Sequence, residues 1–349
     1  MDTPEPTFRQ TVVYIDDMMM SDGRTEWATK LATKLKATLA PGERVTVVRL
    51  SPASGQSNEV WSACWPGYTA AERQQLAAGT YIFSRNPLTE LDDQEKFFAS
   101  GLSAALGSIY QDAKRPAAVV RIDPAHPPTK NILRALTSDE ARFSQSQNTV
   151  RAIIFSDLAE NSDLGSVFKP LPREREDIGR KLGTHLRRSV FYAYGLSEDV
   201  AGAPSLIDNL RKFWAPTLQS IQAAVGGLGA DLNVPNEIPV RGYAFTVAVQ
   251  HAGQTLEGRL SVLVSIDGTL VDSWLDISRL SIASLAGSFQ CQGTDDPVCK
   301  LDARTNTGLT TSSATENVSL SGSLSSGLKG EIGVPSSLTD PIDAHLAVR

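Results

Sequence analysis

Residues 11–15, Thr-Val-Val-Tyr-Ile, form a short β-branched apolar run that stops at Asp16-Asp17, the pattern of a buried parallel strand that delivers carboxylates to a sheet edge. Trp27, Leu31, Leu35 and Leu39 then recur at four-residue spacing with Lys30, Lys34 and Lys36 between them. This spacing predicts an amphipathic helix, stopped by Pro41-Gly42. Val45–Leu50 is the second strand. Residues 51–91 hold no sustained period and are read as a long excursion with one short strand. Asp92, with Glu95 three residues on, predicts the capped start of a helix carrying Phe98, Leu102, Leu106, Ile109 and Tyr110. Further strands are expected at Ala117–Ile122, at Arg151–Phe155 before Ser156-Asp157, and at Ser189–Tyr194. Between them fall a proline-rich turn from Pro124 to Pro128, a helix led by Thr129 and running through Leu136, a polar helix over 173–187 and a last helix from Pro204 to Ala224. Strands that alternate with helices need crossover connections, so a mostly parallel sheet flanked by helices is predicted over residues 8–232.

Gly226-Gly227-Leu228-Gly229 reads as a linker, and from residue 235 the helical spacing is gone. Ala244–Val249, Leu260–Ile266 and Val271–Ile277 are short strands, the last two divided by the hairpin signal Asp267-Gly268-Thr269. Gly308–Gly333 reads as weak edge strands. Residues 235–349 are therefore expected to form a small antiparallel β domain, a sandwich or a barrel, with a mobile C-terminal tail from Pro335.

The chain has 349 residues, 41% of them hydrophobic and 21% charged, which suits a globular protein and excludes collagen-like and highly charged disordered classes. Its 33 basic and 39 acidic residues give a net charge of −6, which disfavours nucleic acid and anionic membrane as partners. No apolar run approaches the roughly 18 residues of a transmembrane helix, and the start Met1-Asp2-Thr3-Pro4 lacks the features of a signal peptide. The expected location is cytoplasmic, or periplasmic or secreted if a signal peptide has been removed. Cys291 and Cys299 could close a hairpin with one disulfide in an oxidising compartment, or remain thiols as Cys64 does. The histidines His126, His185, His251 and His345 make no ligand spacing, and there is no P-loop, G-x-S-x-G elbow or H-E-x-x-H. No enzymatic activity is expected. The basic stretch from Lys169 to Arg188 reads as a solvated crossover helix, and Phe213-Trp214 as core.

An apolar strand ending in carboxylates, Trp61-Ser62-Ala63-Cys64-Trp65-Pro66 after the second strand, Ser156-Asp157-Leu158-Ala159-Glu160-Asn161 after a later one, and Phe213-Trp214 near the domain end together resemble the von Willebrand factor A (vWA) domain in its divergent bacterial members. The resemblance implies a Rossmann-like α/β fold and a metal-ion-dependent adhesion site in which Asp-x-Ser-x-Ser, a loop Thr and a later Asp hold one Mg²⁺. Position by position, Asp16, Thr129 and Asp157 match ligands, while the two serines fall on Met18 and Met20. Thioether sulfur is a poor Mg²⁺ ligand, so the resemblance implies a degenerate site and no cofactor. It further implies a protein–protein interaction or assembly role at the carboxyl edge of the sheet, in a bacterial mobile-element or defence setting.

Met18 and Met20 can be read as an adaptable partner-binding patch or as side chains packed beneath the loop before Trp27. Two other functions fit the same residues. One is an Mg²⁺-dependent phosphoester hydrolase built on Asp16, Asp17 and Asp157. The other is a carbohydrate- or ligand-binding β module with Trp274 and Tyr243 as stacking residues.

Overall fold

The computed structural model describes all residues except 1–8, 69, 80–85, 117–122, 124, 146–147, 170–177, 183–185, 197–203, 278–280, 307–314, 335–338 and 348–349. The strand expected at Ala117–Ile122, and residues 173–177 and 183–185 of the helix expected over 173–187, lie outside the described residues, while Ile178–Leu182 within that span is helical.

The first half is a six-stranded mixed sheet made of β1 (Arg9–Asp16), β2 (Arg44–Ser51), β3 (Gln56–Cys64), β4 (Thr149–Phe155), β7 (Ser189–Tyr194) and β8 (Ala223–Leu228) in the order β3-β2-β1-β4-β7-β8. Two-residue strands β5 (Asn161–Ser162) and β6 (Gly165–Ser166) form a separate ribbon. All neighbours in the large sheet pair in parallel except β3, which runs antiparallel to β2 at one edge. The expected Rossmann-like architecture is present, and its order reverses direction between β1 and β4. The period-two pattern of β1 explains its place at the centre. Val12 and Tyr14 enter one core with Ile154, Phe191 and Trp214, while Val13 and Ile15 enter the opposite core with Leu31, Leu35 and Phe98.

Helix α1 (Glu26–Thr38) follows β1 as expected, burying Trp27, Leu31 and Leu35. It is followed by α2 (Ala70–Ala78) and α3 (Pro87–Ala113). Helix α3 begins before the predicted Asp92: Asn86 accepts the backbone N–H of Leu88 at 2.9 Å, and Pro87 occupies the first helical position, where its missing N–H costs nothing. Short helices α4 (Ile132–Thr137), α5 (Glu140–Gln145) and α6 (Ile178–Leu182) lead to α7 (Pro204–Ser220).

Two readings of the sequence are corrected here. The glycine-rich stretch read as a linker is part of β8, the sixth strand. Its glycines serve close approach, because a Cβ on Gly226 would meet the Tyr192 ring at 2.4 Å. The tail expected to be mobile holds β16 (Thr339–Leu346), which pairs with both Gly327–Gly333 and Arg241–His251.

That strand closes the second unit. Strands β9 (Arg241–His251), β10 (Gln254–Val264), β11 (Ser273–Ile277), β12 (Ser281–Gln292), β13 (Val298–Asn306), β14 (Asn317–Ser323), β15 (Gly327–Gly333) and β16 form a closed up-and-down barrel. Its interior is filled by Phe245, Val262, Phe289, Leu301, Leu320 and Ile342 among others, all buried. Cys291 and Cys299 face each other across β12 and β13 and are joined by a disulfide.

The barrel docks on the amino edge of the α/β sheet. Trp274 donates its indole N–H to Thr149 at the start of β4 (3.1 Å), Thr149 in turn meets Ser261 (3.0 Å), and Ser284 donates to the carbonyl of Val225 (2.7 Å). No helix among the described residues is long and apolar enough to cross a membrane.

Candidate functional site

The opposite, carboxyl edge carries the residues singled out in the sequence. Asp16 ends β1, and Ser156 and Asp157 directly follow β4, the neighbouring strand. Parallel pairing therefore brings two segments some 140 residues apart in sequence to the same end of the sheet, and Ser156 donates to Asp16 at 2.7 Å.

Between the two carboxylates stands a residue that the sequence reading passed over. The Lys130 ammonium lies 2.8 Å from Asp16 and 2.6 Å from Asp157, and all three side chains are at most 2% exposed. Neighbouring backbone fixes the lysine. The Lys130 N–H donates to the carbonyl of Asn161 and the Lys130 carbonyl accepts the Asn161 N–H, both at 3.0 Å, while the Asn161 side-chain amide donates to the carbonyls of Pro127 and Pro128. The Ser-Asp-Leu-Ala-Glu-Asn segment thus has an evident local role. Ser156 and Asp157 accept the N–H groups of Leu158 and Ala159, and Asn161 clamps the 127–130 loop. Leu158 has φ of +53°, strained for a leucine, and its carbonyl accepts the buried indole N–H of Trp214 at 2.7 Å.

The electrostatics follow from one cation among two acids out of water. Burial pushes the Asp16 carboxyl above its ordinary range, with the Lys130 ammonium opposing and Asp157 adding to the rise. Burial acts to lower the Lys130 pKa, but attraction to Asp157 and Asp16 outweighs it and holds the ammonium above its ordinary value.

The remaining expected site residues are placed differently. Thr129 is exposed, outside the Asp16–Lys130–Asp157 group. Asp17 turns toward β2, accepting from Arg49 at 2.9 Å and Ser51 at 2.7 Å, so the three aspartates of the hydrolase reading do not gather around one point. Met20 is fully buried and Met19 nearly so, packed with Trp27 and Leu31, because the one-turn helix Asp17–Met19 folds the chain back under α1. Met20 is therefore corrected from a partner-binding residue to core; Met18 alone of the three is half-exposed. Trp274, expected as a stacking platform, is buried between the barrel and the α/β sheet, and Tyr243 is half-buried against Phe245 and Phe289.

The divalent ion implied by the resemblance does not fit these residues. An ammonium already within hydrogen-bond distance of both carboxylates uses the oxygens such an ion needs and repels it, and Met18 and Met20 supply no hard ligand. Among the described residues no cluster of three or more His, Cys, Asp or Glu could hold a metal.

A third buried acid, Glu160, lies three residues after Asp157. Glu160 accepts the N–H of Leu133 at 3.0 Å and the Ser162 hydroxyl at 2.5 Å, and burial raises its pKa to about 7 against these bonds and the Lys130 charge, which favour the carboxylate. A carboxyl whose folded pKa lies above its unfolded value binds its proton more tightly when folded, so stability falls as pH rises from the unfolded pKa, 4.5, to about 7. The expected result is that Glu160→Gln flattens this slope. Urea denaturation of both proteins at pH 4.5 and 7.5 should show the wild type losing up to about 3 kcal/mol more than the variant; equal slopes would refute the assignment.

No family model matches the chain, and no curated protein does either. Among solved structures, the crystal structure of the ArnB paralogue VWA2 from Sulfolobus acidocaldarius is similar at 11% identity and a TM-score of 0.36, over 91% of this chain and 66% of that one.

Proposed function

We propose that this chain is a non-enzymatic interaction protein with a vWA-like domain whose ion site is degenerate, Lys130 taking the place of the divalent cation. The observation that carries the reading is the Lys130 ammonium at 2.8 and 2.6 Å from Asp16 and Asp157, with all three side chains sealed from solvent. A sealed ion pair gives no partner carboxylate an open coordination position, and it presents no group to a substrate. What it supplies is rigidity. It ties the ends of β1 and β4 to the 127–131 loop, so that the exposed residues around them, Thr129 and the half-exposed Met18 included, form a fixed surface for a protein partner. The barrel, held on the other edge, leaves this surface free.

The test is capture from the native host by wild type and by Thr129→Arg with Met18→Asp, each with Mg²⁺ and with chelator. Specific capture that is the same in both buffers and lost in the double variant is expected. Capture that requires Mg²⁺ would overturn the metal-free reading, and capture indifferent to the double variant would overturn the surface. On the protein alone, the melting midpoint is expected to be unchanged between millimolar Mg²⁺ and chelator; a ligand that binds only the folded state at a hundred times its Kd would add about 2.7 kcal/mol.

A further inference from the structure

One end of the barrel holds a cavity of about 340 Å³, bordered by the start of β9, the end of β10 with the turn after it, and the end of β12. Val240, Arg241, Tyr243, Val264, Ile266 and Phe289 line it. Mouths of β-barrels are a recurrent place for small-molecule sites, whose volumes start at roughly 300 Å³. The walls are fixed before any ligand arrives. The Val240 N–H donates to the carbonyl of Val264 at 2.7 Å, and the Phe289 N–H donates to that of Gly268 at 2.8 Å, which ties the 265–269 turn to β12. Gly268 has φ of +85°, and a Cβ there would meet the Phe289 carbonyl oxygen at 3.0 Å, so the turn lies close against the strand. Tyr243 packs on Phe289 with ring centroids 5.1 Å apart, and the disulfide of Cys291 with Cys299 joins β12 to β13 at the same end. A preformed site loses little ordering entropy on binding.

Two features of this mouth add nothing to the packing of the barrel. Apolar side chains stand in water at its rim, Ile266 at 85% exposure and Val240 at 51%. Single exposed hydrophobic residues are ordinary, but these two border one cavity and continue into the apolar surface of Val264 and Phe289. The other feature is Arg241. Along β9 the residues Arg241, Tyr243, Phe245 and Val247 share one face by the period of two, and Phe245 and Val247 on that face belong to the barrel core. Arg241 is the member of this row at the mouth. It is exposed, and neither its guanidinium nor the Tyr243 hydroxyl makes a hydrogen bond or ion pair among the described residues. The acid on the rim, Asp267, is engaged within its own turn, accepting from the Ser265 hydroxyl and the Thr269 N–H.

We propose that the barrel mouth binds a small amphiphilic acid, an aliphatic chain ending in a carboxylate. The chain lies along Val240, Ile266 and Phe289 and covers the apolar rim, while the carboxylate pairs with the Arg241 guanidinium, whose planar fork offers two parallel N–H donors to such a group. The Tyr243 hydroxyl supplies a further donor. Residues 241–346 carry more acidic than basic side chains, so the preference for an acid rests on contact with Arg241 and not on the long-range field of the barrel. The inference goes beyond the interaction reading above, since occupancy is measured on the protein alone and needs neither a protein partner nor the carboxyl edge of the α/β sheet.

The experiment is calorimetric titration of the full chain with hexanoate and with its neutral amide, hexanamide. Saturable one-to-one binding of the acid is expected, with the amide at least about tenfold weaker, as loss of a charge-assisted pair with an arginine implies. Arg241→Gln is expected to bring the acid down to the affinity of the amide, and Ile266→Ser to weaken acid and amide alike by several-fold. Both positions are exposed, so the variants keep the fold. Absence of saturable binding up to about 10 mM, equal binding of acid and amide by the wild type, or affinity unchanged in the variants would overturn the proposal. So would sedimentation with phosphatidylcholine vesicles that Ile266→Ser abolishes, found without any saturation by hexanoate, which would assign the apolar rim to a membrane surface.

Discussion

Lys130→Met is expected to destabilise the protein by about 3–5 kcal/mol at neutral pH, the cost of leaving buried carboxylates without their counter-charge. The substitution nearly conserves volume, so little of the loss would come from packing. It strands Asp16 and Asp157, both at most 2% exposed, with only Ser156 and backbone N–H groups to satisfy them. The pH dependence separates this cause from a cavity effect. The stranded carboxyls would have folded pKa values above their unfolded ones, so the added loss is present at neutral pH and disappears as pH falls through the unfolded values near 4. Urea denaturation at pH 7.5 and pH 4 measures both points. A loss below about 1 kcal/mol that is the same at both pH values would mean that Lys130 is not the counter-charge.

What the sequence could reveal of this site, and what it could not, has a physical basis. Asp16 and Asp157 were legible because each directly follows an apolar β-branched run, and parallel strands end at one edge. The cation was not, because Lys130 sits in a loop with no period. Its neighbour Thr129 was chosen on resemblance, yet Thr129 is exposed and Lys130 buried. The difference is set by the bridge between Lys130 and Asn161, a tertiary contact. The same limit explains the two misread elements. Gly226-Gly227 has poor strand propensity in isolation and is held in β8 by pairing with β7 beneath the Tyr192 ring. In the tail, β16 alternates Ile342, Ala344 and Leu346 with polar residues, but it becomes a strand through pairing with β9, some 95 residues earlier. Local pattern predicted the alternating helices and strands well because their cores follow the 2.0 and 3.6 periods; closure of a barrel leaves no such local trace.

The junction between sheet and barrel was equally invisible in the sequence, and it supports the second large prediction. Asp272→Asn is expected to lower stability by about 3 kcal/mol or more and to split thermal unfolding into two transitions. Asp272 lies between the hairpin turn and β11, at φ of +49°, a conformation that asparagine tolerates as well as aspartate does. One carboxylate oxygen accepts from Arg9 at 2.5 Å and the other from the Tyr192 hydroxyl at 2.7 Å. Arg9 also grips Glu43 at 2.7 and 3.0 Å, and Arg151 reaches Glu43 at 3.3 Å and Thr11 at 2.8 Å. Two guanidinium groups and two carboxylates, each at most 3% exposed, balance one another. Burial already pushes the Arg151 pKa down, with the neighbouring Arg9 adding to the fall, so little surplus favourable charge is present to absorb a loss. Asparagine keeps the shape and removes one negative charge, leaving a net buried positive charge at the contact that joins the two units. Differential scanning calorimetry reads the outcome. A single transition at the wild-type midpoint would show that Trp274, Ser261 and Ser284 hold the barrel without this network, whereas a barrel transition that moves away from that of the sheet would assign the coupling to Asp272.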